Sequence, residues 1–438
     1  MLDIVFLLLG LVMSWRVFNA SRFPEAGFLL VFSYAVYVYM GGVLMGLDDF
    51  YSTSPDYPQL MSMIRWGYFS IILAFLLVSR LPLVVTPDFK GTFSLRQTEW
   101  SAVSLLALCS LVAAVTFLII MPGNPLEAML TNSEQFAFER EAVTTGMRSF
   151  GFFSNIFYDF MPIIWLSFYF HGKYKTAYFL FSANLFVLLA TGQKSPLVFS
   201  FLYLTLAIGL KQGKFNYGKS VLASMLVFCV LIGVVMLQNW HLLIELNENT
   251  IFLALSALEH RTFMVGAIVL LNYLETFPVA HAFLIAQASA VPPDQIVYIN
   301  TYGSGIAGSV NAVSLGNFYA RFGEISIAAA LMFCVAIVFY FGAWVIRSVV
   351  RISPLSQAFY IVYCVIGVKL VVTDWYTVLP IFWLSLFVIF GFVYAYQMAH
   401  NARHNGRAVA HGGYWFVLFS LIALCYFVQG QLRSLLAA

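Results

Sequence analysis

Charge is what this sequence lacks. Charged residues make up 9% of its 438 residues, against about a quarter in a soluble domain, which leaves too little polar surface to clothe a soluble body of this length. The net formal charge of +3 is too small to argue for nucleic-acid binding. Cysteine is scarce and scattered. Cys109, Cys229, Cys334, Cys364 and Cys425 all fall in apolar runs, so neither a disulfide framework nor a CxxC metal pair is available. The seven histidines show no HExxH spacing, and no Ser/His/Asp nucleophile signature is present. The one adjacent acidic pair in an outer loop, Asp48-Asp49, reads as solvated loop. The expectation is chemistry without metal or cofactor. A basic start is also missing: the first cations, Arg16 and Arg22, follow the first apolar run instead of preceding it. That is the reverse of a secretory signal and predicts an uncleaved first helix with its N-terminus outside. No low-complexity tract or fixed-period repeat occurs.

What is abundant is apolar sequence, at 62% of residues. It recurs in runs of the length a helix needs to cross about 30 Å of hydrocarbon. Read between polar breaks, the runs give twelve spans at about 2–18, 24–46, 63–85, 100–122, 150–170, 176–191, 195–210, 220–238, 325–346, 356–372, 377–398 and 413–430. The predicted fold is an all-α polytopic membrane protein, a single membrane domain over 1–438 with about 12 transmembrane helices. Two long outer loops remain, 123–149 and 239–324.

The distribution of cations tests this arrangement. With the N-terminus outside, the cytoplasmic side receives Arg16, Arg22, Arg80, Lys90, Arg96, Lys173, Lys175, Lys211, Lys214, Lys219, Arg347, Arg351, Arg403 and Arg407, fourteen of the 22 Lys and Arg residues. Only Glu25, Asp88 and Glu99 among the 19 acids fall on that side. Short cytoplasmic loops are expected to be rich in Lys and Arg, and these are. Residues 251–277 are apolar enough to span, but Glu259, His260 and Arg261 sit at their middle. A charge at the bilayer centre costs about 2.5–3.5 kcal/mol even on lenient scales. The segment is therefore expected at the outer interface, or as a re-entrant pair with 279–290, and the second loop is expected to carry interfacial helices.

The outer side keeps only Arg65, Arg140, Arg148, Lys194, Arg261, Arg321, Lys369 and Arg433. Arg140 and Arg148 lie in the first loop, Arg261 and Arg321 in the second, and Lys194 in the tight turn Gly192-Gln193-Lys194-Ser195-Pro196. These five oppose the charge bias. A guanidinium presents a planar fork suited to phosphate oxygens, so the cluster fits a lipid-linked diphosphate. The bland alternative is that the arginines pair with Glu139, Glu141, Glu259 and Glu324. The stretch from Thr301 to Asn311 is rich in Gly and Ser and leads to Asn317-Phe318-Tyr319-Ala320-Arg321. It suits a bed for sugar or phosphate, or a lead-in to the next helix. Asp374 is expected to pair with Lys369.

In these features the chain resembles bacterial O-antigen polymerases of the Wzy type, within the wider group that includes O-antigen ligases. Arg140 is followed after ten residues by Gly151, as in the first loop of such polymerases. His260-Arg261-Thr262-Phe263-Met264-Val265 stands where some members carry a basic pair, and the Gly192-Gln193-Lys194 turn is similar to some members. Asn311 is followed after eleven residues by Gly323. Two departures stand out. Asn272 occupies the place of the Gly expected after Arg261, with Gly266 early, and Asn311 stands near where ligases show His. The resemblance implies a GT-C-like fold in the bacterial inner membrane, with the active site facing the periplasm. It implies a metal-independent, inverting glycosyltransferase that joins undecaprenyl-diphosphate-linked oligosaccharide repeats into O-antigen or a related polysaccharide. A chain-length regulator is an implied partner. Arg261, Arg140, His260 and Glu139 are the expected catalytic residues. Arg148, Lys194, Gln193, Arg321, Asn311 and Tyr319 are expected to bind diphosphate or sugar. The alternatives are an O-antigen ligase and a transporter of lipid-linked oligosaccharide or polysaccharide. A transporter predicts charged or broken helices at mid-membrane, whereas the charges in this sequence gather in outer loops.

Overall fold

The computed structural model describes residues 2–21, 26–80, 95–131, 135–147, 149–192, 195–212, 233, 236, 263–277, 293–302, 313–349 and 353–372. Every regular element among them is helical. The longer helices are α1 (Leu2–Ser21), α2 (Ala26–Met45), α3 (Tyr57–Ser79) and α4 (Leu95–Ile120). Two short loop helices follow, α5 (Pro125–Thr131) and α6 (Phe136–Glu141), then α7 (150–170), α8 (Tyr174–Ala190) and α9 (Ser195–Gln212). The last five are α10 (Val265–Thr276), α11 (Pro293–Tyr302), α12 (Ser314–Phe322), α13 (Ile325–Val349) and α14 (Pro354–Val372). Among the described residues, five stretches are long and apolar enough to cross a membrane: Ala26–Met45, Tyr57–Ser79, Trp100–Ile120, Ile325–Trp344 and Pro354–Val372. The expected spans 377–398 and 413–430, and 220–238 apart from residues 233 and 236, lie outside the described residues.

The side chains are sorted as lipid requires. On α4 the large residues Leu105, Leu108, Val112, Val115 and Ile119 face outward at three- and four-residue spacing, while Ala102, Ala107 and Ala114 face inward. A helix in water would bury the leucines. Here lipid is as apolar as leucine, and small residues let helix backbones approach. At the centre is α14, which α2, α7, α9 and α13 surround. Tyr360 through Ile366 are buried on every side of it.

Helix ends meet at two faces. At one, Arg65 on α3 grips Asp3 on α1 with two hydrogen bonds, Nε to Oδ1 at 2.6 Å and Nη2 to Oδ2 at 2.9 Å. The Tyr39 hydroxyl of α2 donates to the same carboxylate at 3.1 Å. At the other, Lys211 at the end of α9 donates to the Tyr169 carbonyl of α7 at 3.3 Å and to the Tyr174 hydroxyl of α8. Trp100 of α4 stands there against Phe168 and His171.

One expectation needs correction. The third span was expected over 63–85, yet α3 runs from Tyr57 to Ser79. Pro58 suits the first turn of a helix, which lets the helix begin before the apolar run does. The helices also depart from regularity. α2 and α7 each contain a π turn, at Ala35–Tyr39 and Ile156–Phe160, and nothing in the apolar spacing announces either.

Candidate functional site

The first loop folds back on itself. Asn124 caps α5, its Oδ1 accepting from the Glu127 N–H at 3.2 Å. Glu139 on α6 then accepts from the Asn124 N–H through Oε2 at 2.9 Å. Glu139, expected as a base, is thus engaged in tying α6 to the entry of α5. Its neighbour Arg140 points elsewhere. The exposed guanidinium lies 5.8 Å from the centre of the Phe136 ring, and no described carboxylate pairs with it. Pairing of Arg140 with Glu139 is therefore not found.

Phe136 also carries the turn after α8. Gly192 has φ +68, and a Cβ there would fall 2.9 Å from the Phe136 ring and 3.1 Å from Pro125 Cβ. Both the left-handed backbone and the close ring favour glycine. One aromatic side chain thus holds Arg140 and the start of the Gly-Gln-Lys turn together. Gln193, Lys194 and Arg148 lie outside the described residues.

The second loop is seated by backbone contacts. A Cβ on Gly41 of α2 would clash with the Phe263 carbonyl, and a Cβ on Gly266 would clash with the Tyr37 carbonyl. Two glycines, one on each chain segment, bring the start of α10 against α2. His260 and Arg261 immediately precede this contact and lie outside the described residues, as does Asn311. Further on, the buried Tyr273 hydroxyl of α10 donates to Asn317 Oδ1 of α12 at 2.5 Å. Ser314 Oγ donates to the Leu370 carbonyl of α14 at 3.1 Å. Tyr319, expected at the substrate, is only 2% exposed and belongs to the packed core. Burial, and then the Asp56 carboxylate, push its hydroxyl above the usual tyrosine range. Arg321 is half-buried in the last turn of α12, just before Gly323 closes the helix at φ +75.

Lys369 of α14 has a partner that its sequence neighbourhood does not name. Its ammonium donates to Asp159 Oδ1 of α7 at 2.7 Å; Asp374, the partner expected from sequence, lies outside the described residues. Asp159 sits in the π turn Ile156–Phe160. The Tyr203 hydroxyl of α9 is hydrogen-bonded to Lys369 and donates to the Tyr158 carbonyl at 3.4 Å. The Tyr158 side chain in turn bonds Thr191, beside Gly192. Asp159 escaped the sequence reading, although the signal was there. A lone carboxylate in an apolar run needs a partner, and Lys369 sits in another such run. Comparison with family models, with curated proteins and with solved structures returns no match to this chain.

Proposed function

We propose that this protein is a metal-independent, inverting glycosyltransferase of the O-antigen polymerase kind. It would have about 12 spans in a GT-C-like arrangement and face the periplasm of a bacterial inner membrane. Its substrates would be undecaprenyl-diphosphate-linked oligosaccharide repeats, with growing glycan transferred from its carrier to the terminal sugar of an incoming repeat. The observation that carries this reading is the Phe136 hub: it supports Arg140, open and without a described carboxylate partner, beside the turn that leads to Lys194. Cations fixed in one place can stabilise the charge that develops on a departing diphosphate, without rearranging as it forms. The Gly41–Phe263 contact supports a role for the second loop, because it anchors the segment bearing Arg261.

The test is reconstitution of the full chain in lipid with undecaprenyl-diphosphate-linked repeat units. A ladder of longer glycans is expected. Arg140→Ala and Arg261→Ala should each slow it by about 10²–10³, the usual effect of losing one fixed donor to a developing anion. Absence of any polymer from the wild-type protein would remove the reading.

One observation favours a second reading. The Asp159–Lys369 pair sits in helices 150–170 and 354–372, and an ion pair within helices is also what a transporter uses. Vesicles that move lipid-linked repeats across the bilayer without lengthening them would select it.

A further inference from the structure

Asp159 and Lys369 do more than neutralise one another. Among the described residues, only one carboxylate oxygen of Asp159 is engaged. Oδ1 accepts from Lys369, while no described donor reaches Oδ2. The two charged side chains keep 13% and 12% of their surface open. The half-buried Phe199 ring lies 5.5 Å from the ammonium. Position matters as much as exposure. Tyr158, next to Asp159, bonds Thr191 beside the Gly192 turn. Leu370, next to Lys369, receives Ser314 at the exit of the second loop. The pair therefore lies close to the Gly192 turn, against which the first loop packs, and close to the exit of the second loop.

The chemistry of this arrangement selects a ligand. A phosphate would bring further negative charge beside a carboxylate whose neutralising cation is already committed. A hydroxyl is matched: it can donate to Asp159 Oδ2 without adding charge, while the ring offers an apolar face. We infer that Asp159, Lys369 and Phe199 form a sugar-hydroxyl subsite, which binds the glycan of a repeat unit close to the basic loops. This assignment rests on the glycan reading of the protein, and it concerns the uncharged part of the substrate.

Two probes separate the parts. Free repeat-unit oligosaccharide, released from its carrier and phosphate-free, tests the subsite. Undecaprenyl diphosphate without sugar tests the basic loops. Binding of each to the full-length protein in lipid nanodiscs would be compared for wild type, Asp159→Asn and Phe199→Leu. Asp159→Asn should weaken the oligosaccharide about tenfold or more, as expected for loss of a hydrogen bond to a charged group, and leave undecaprenyl diphosphate within about twofold. Phe199→Leu leaves the ion pair intact and should weaken the oligosaccharide alone. It keeps the test open should Asp159→Asn fail to fold. Unchanged oligosaccharide binding in either folded variant overturns the subsite, as does a loss confined to undecaprenyl diphosphate. Wild-type protein that binds the oligosaccharide through Asp159 yet makes no polymer keeps the subsite and removes the polymerase reading.

Discussion

Alanine at Gly41 and alanine at Gly42 should have different outcomes, although the two positions are adjacent in one helix. In a helix interior, Gly→Ala contributes up to about 1 kcal/mol of stability through backbone propensity. At Gly42 the new methyl meets Ile64 Cδ1 at 2.6 Å and Met61 Sδ at 2.9 Å. Both are far ends of flexible side chains that can swing aside, so the change should be close to neutral. At Gly41 it meets the backbone carbonyl of Phe263, over an ångström short of the 3.4 Å at which ordinary contact begins. No rotamer relieves a clash with backbone, so α10 must move. Overpacking of this kind costs about 1–3 kcal/mol, and the two variants should differ in stability by about 2 kcal/mol. SDS-titration unfolding of the purified protein reads that difference directly. The displacement also reaches function. Phe263 is two residues from Arg261, and a misplacement of about 1 Å can cost about 10²-fold in rate. Gly41→Ala should therefore polymerise far more slowly than Gly42→Ala at equal protein level. Matching stability and matching activity would show that residues 263–267 are not seated on α2.

Other perturbations test separate parts of the molecule. Gly192→Ala forces a left-handed backbone that costs about 1–2 kcal/mol for an L-residue and crowds Phe136, so it should destabilise the protein and depress activity together; a fully active, stable variant would dissolve the hub. Asp3→Asn should lower the thermal midpoint by releasing Arg65 from α1, and Asp3→Asn with Arg65→Met should recover part of the loss. A double variant no better than the single one would mean that the pair is not coupled. Reporter fusions after Gly406 and near Gln295 should read cytoplasmic and external respectively, and the same side for both would overturn the expected orientation. On the proposed function, in which Arg and Lys would neutralise the leaving diphosphate, chelation of divalent metal should leave polymer synthesis intact; a strict metal requirement would redirect attention to the outer carboxylates.

The helical, lipid-facing character was legible because it depends on composition and run length, which any crossing helix must satisfy. Boundaries were less so. The start of α3 was misplaced because residues 57–62, with Pro58 and Gln59, look polar by run length, whereas Pro58 fits the first turn of a helix. The Phe136 hub was half legible: Gly192 and Arg140 stood out singly, but nothing in their spacing of more than fifty residues says that one ring joins them. Glu139 looked reactive in sequence because it flanks Arg140. Its engagement with the Asn124 N–H depends on a loop fold that periodicity does not encode. Asp159 was passed over because a single carboxylate among aromatics carries no motif. Its meaning comes from Lys369, 210 positions away.

The π turn at Ile156–Phe160 has a consequence for comparing this chain with others. A turn of this kind holds one residue more than the α-helix it interrupts, and each residue turns an α-helix by about 100°. The wider turn absorbs that residue locally, so Phe150–Asn155, whose Phe153 packs on Phe117 with ring centres 5.4 Å apart, and Met161–Phe170 keep the facing that an unbroken α-helix would give them. What the extra residue re-aims is the turn itself, which carries Asp159. A related protein with a single-residue gap between Asn155 and Met161 should therefore keep both flanks in phase, and only side chains within the turn, Asp159 among them, would point elsewhere.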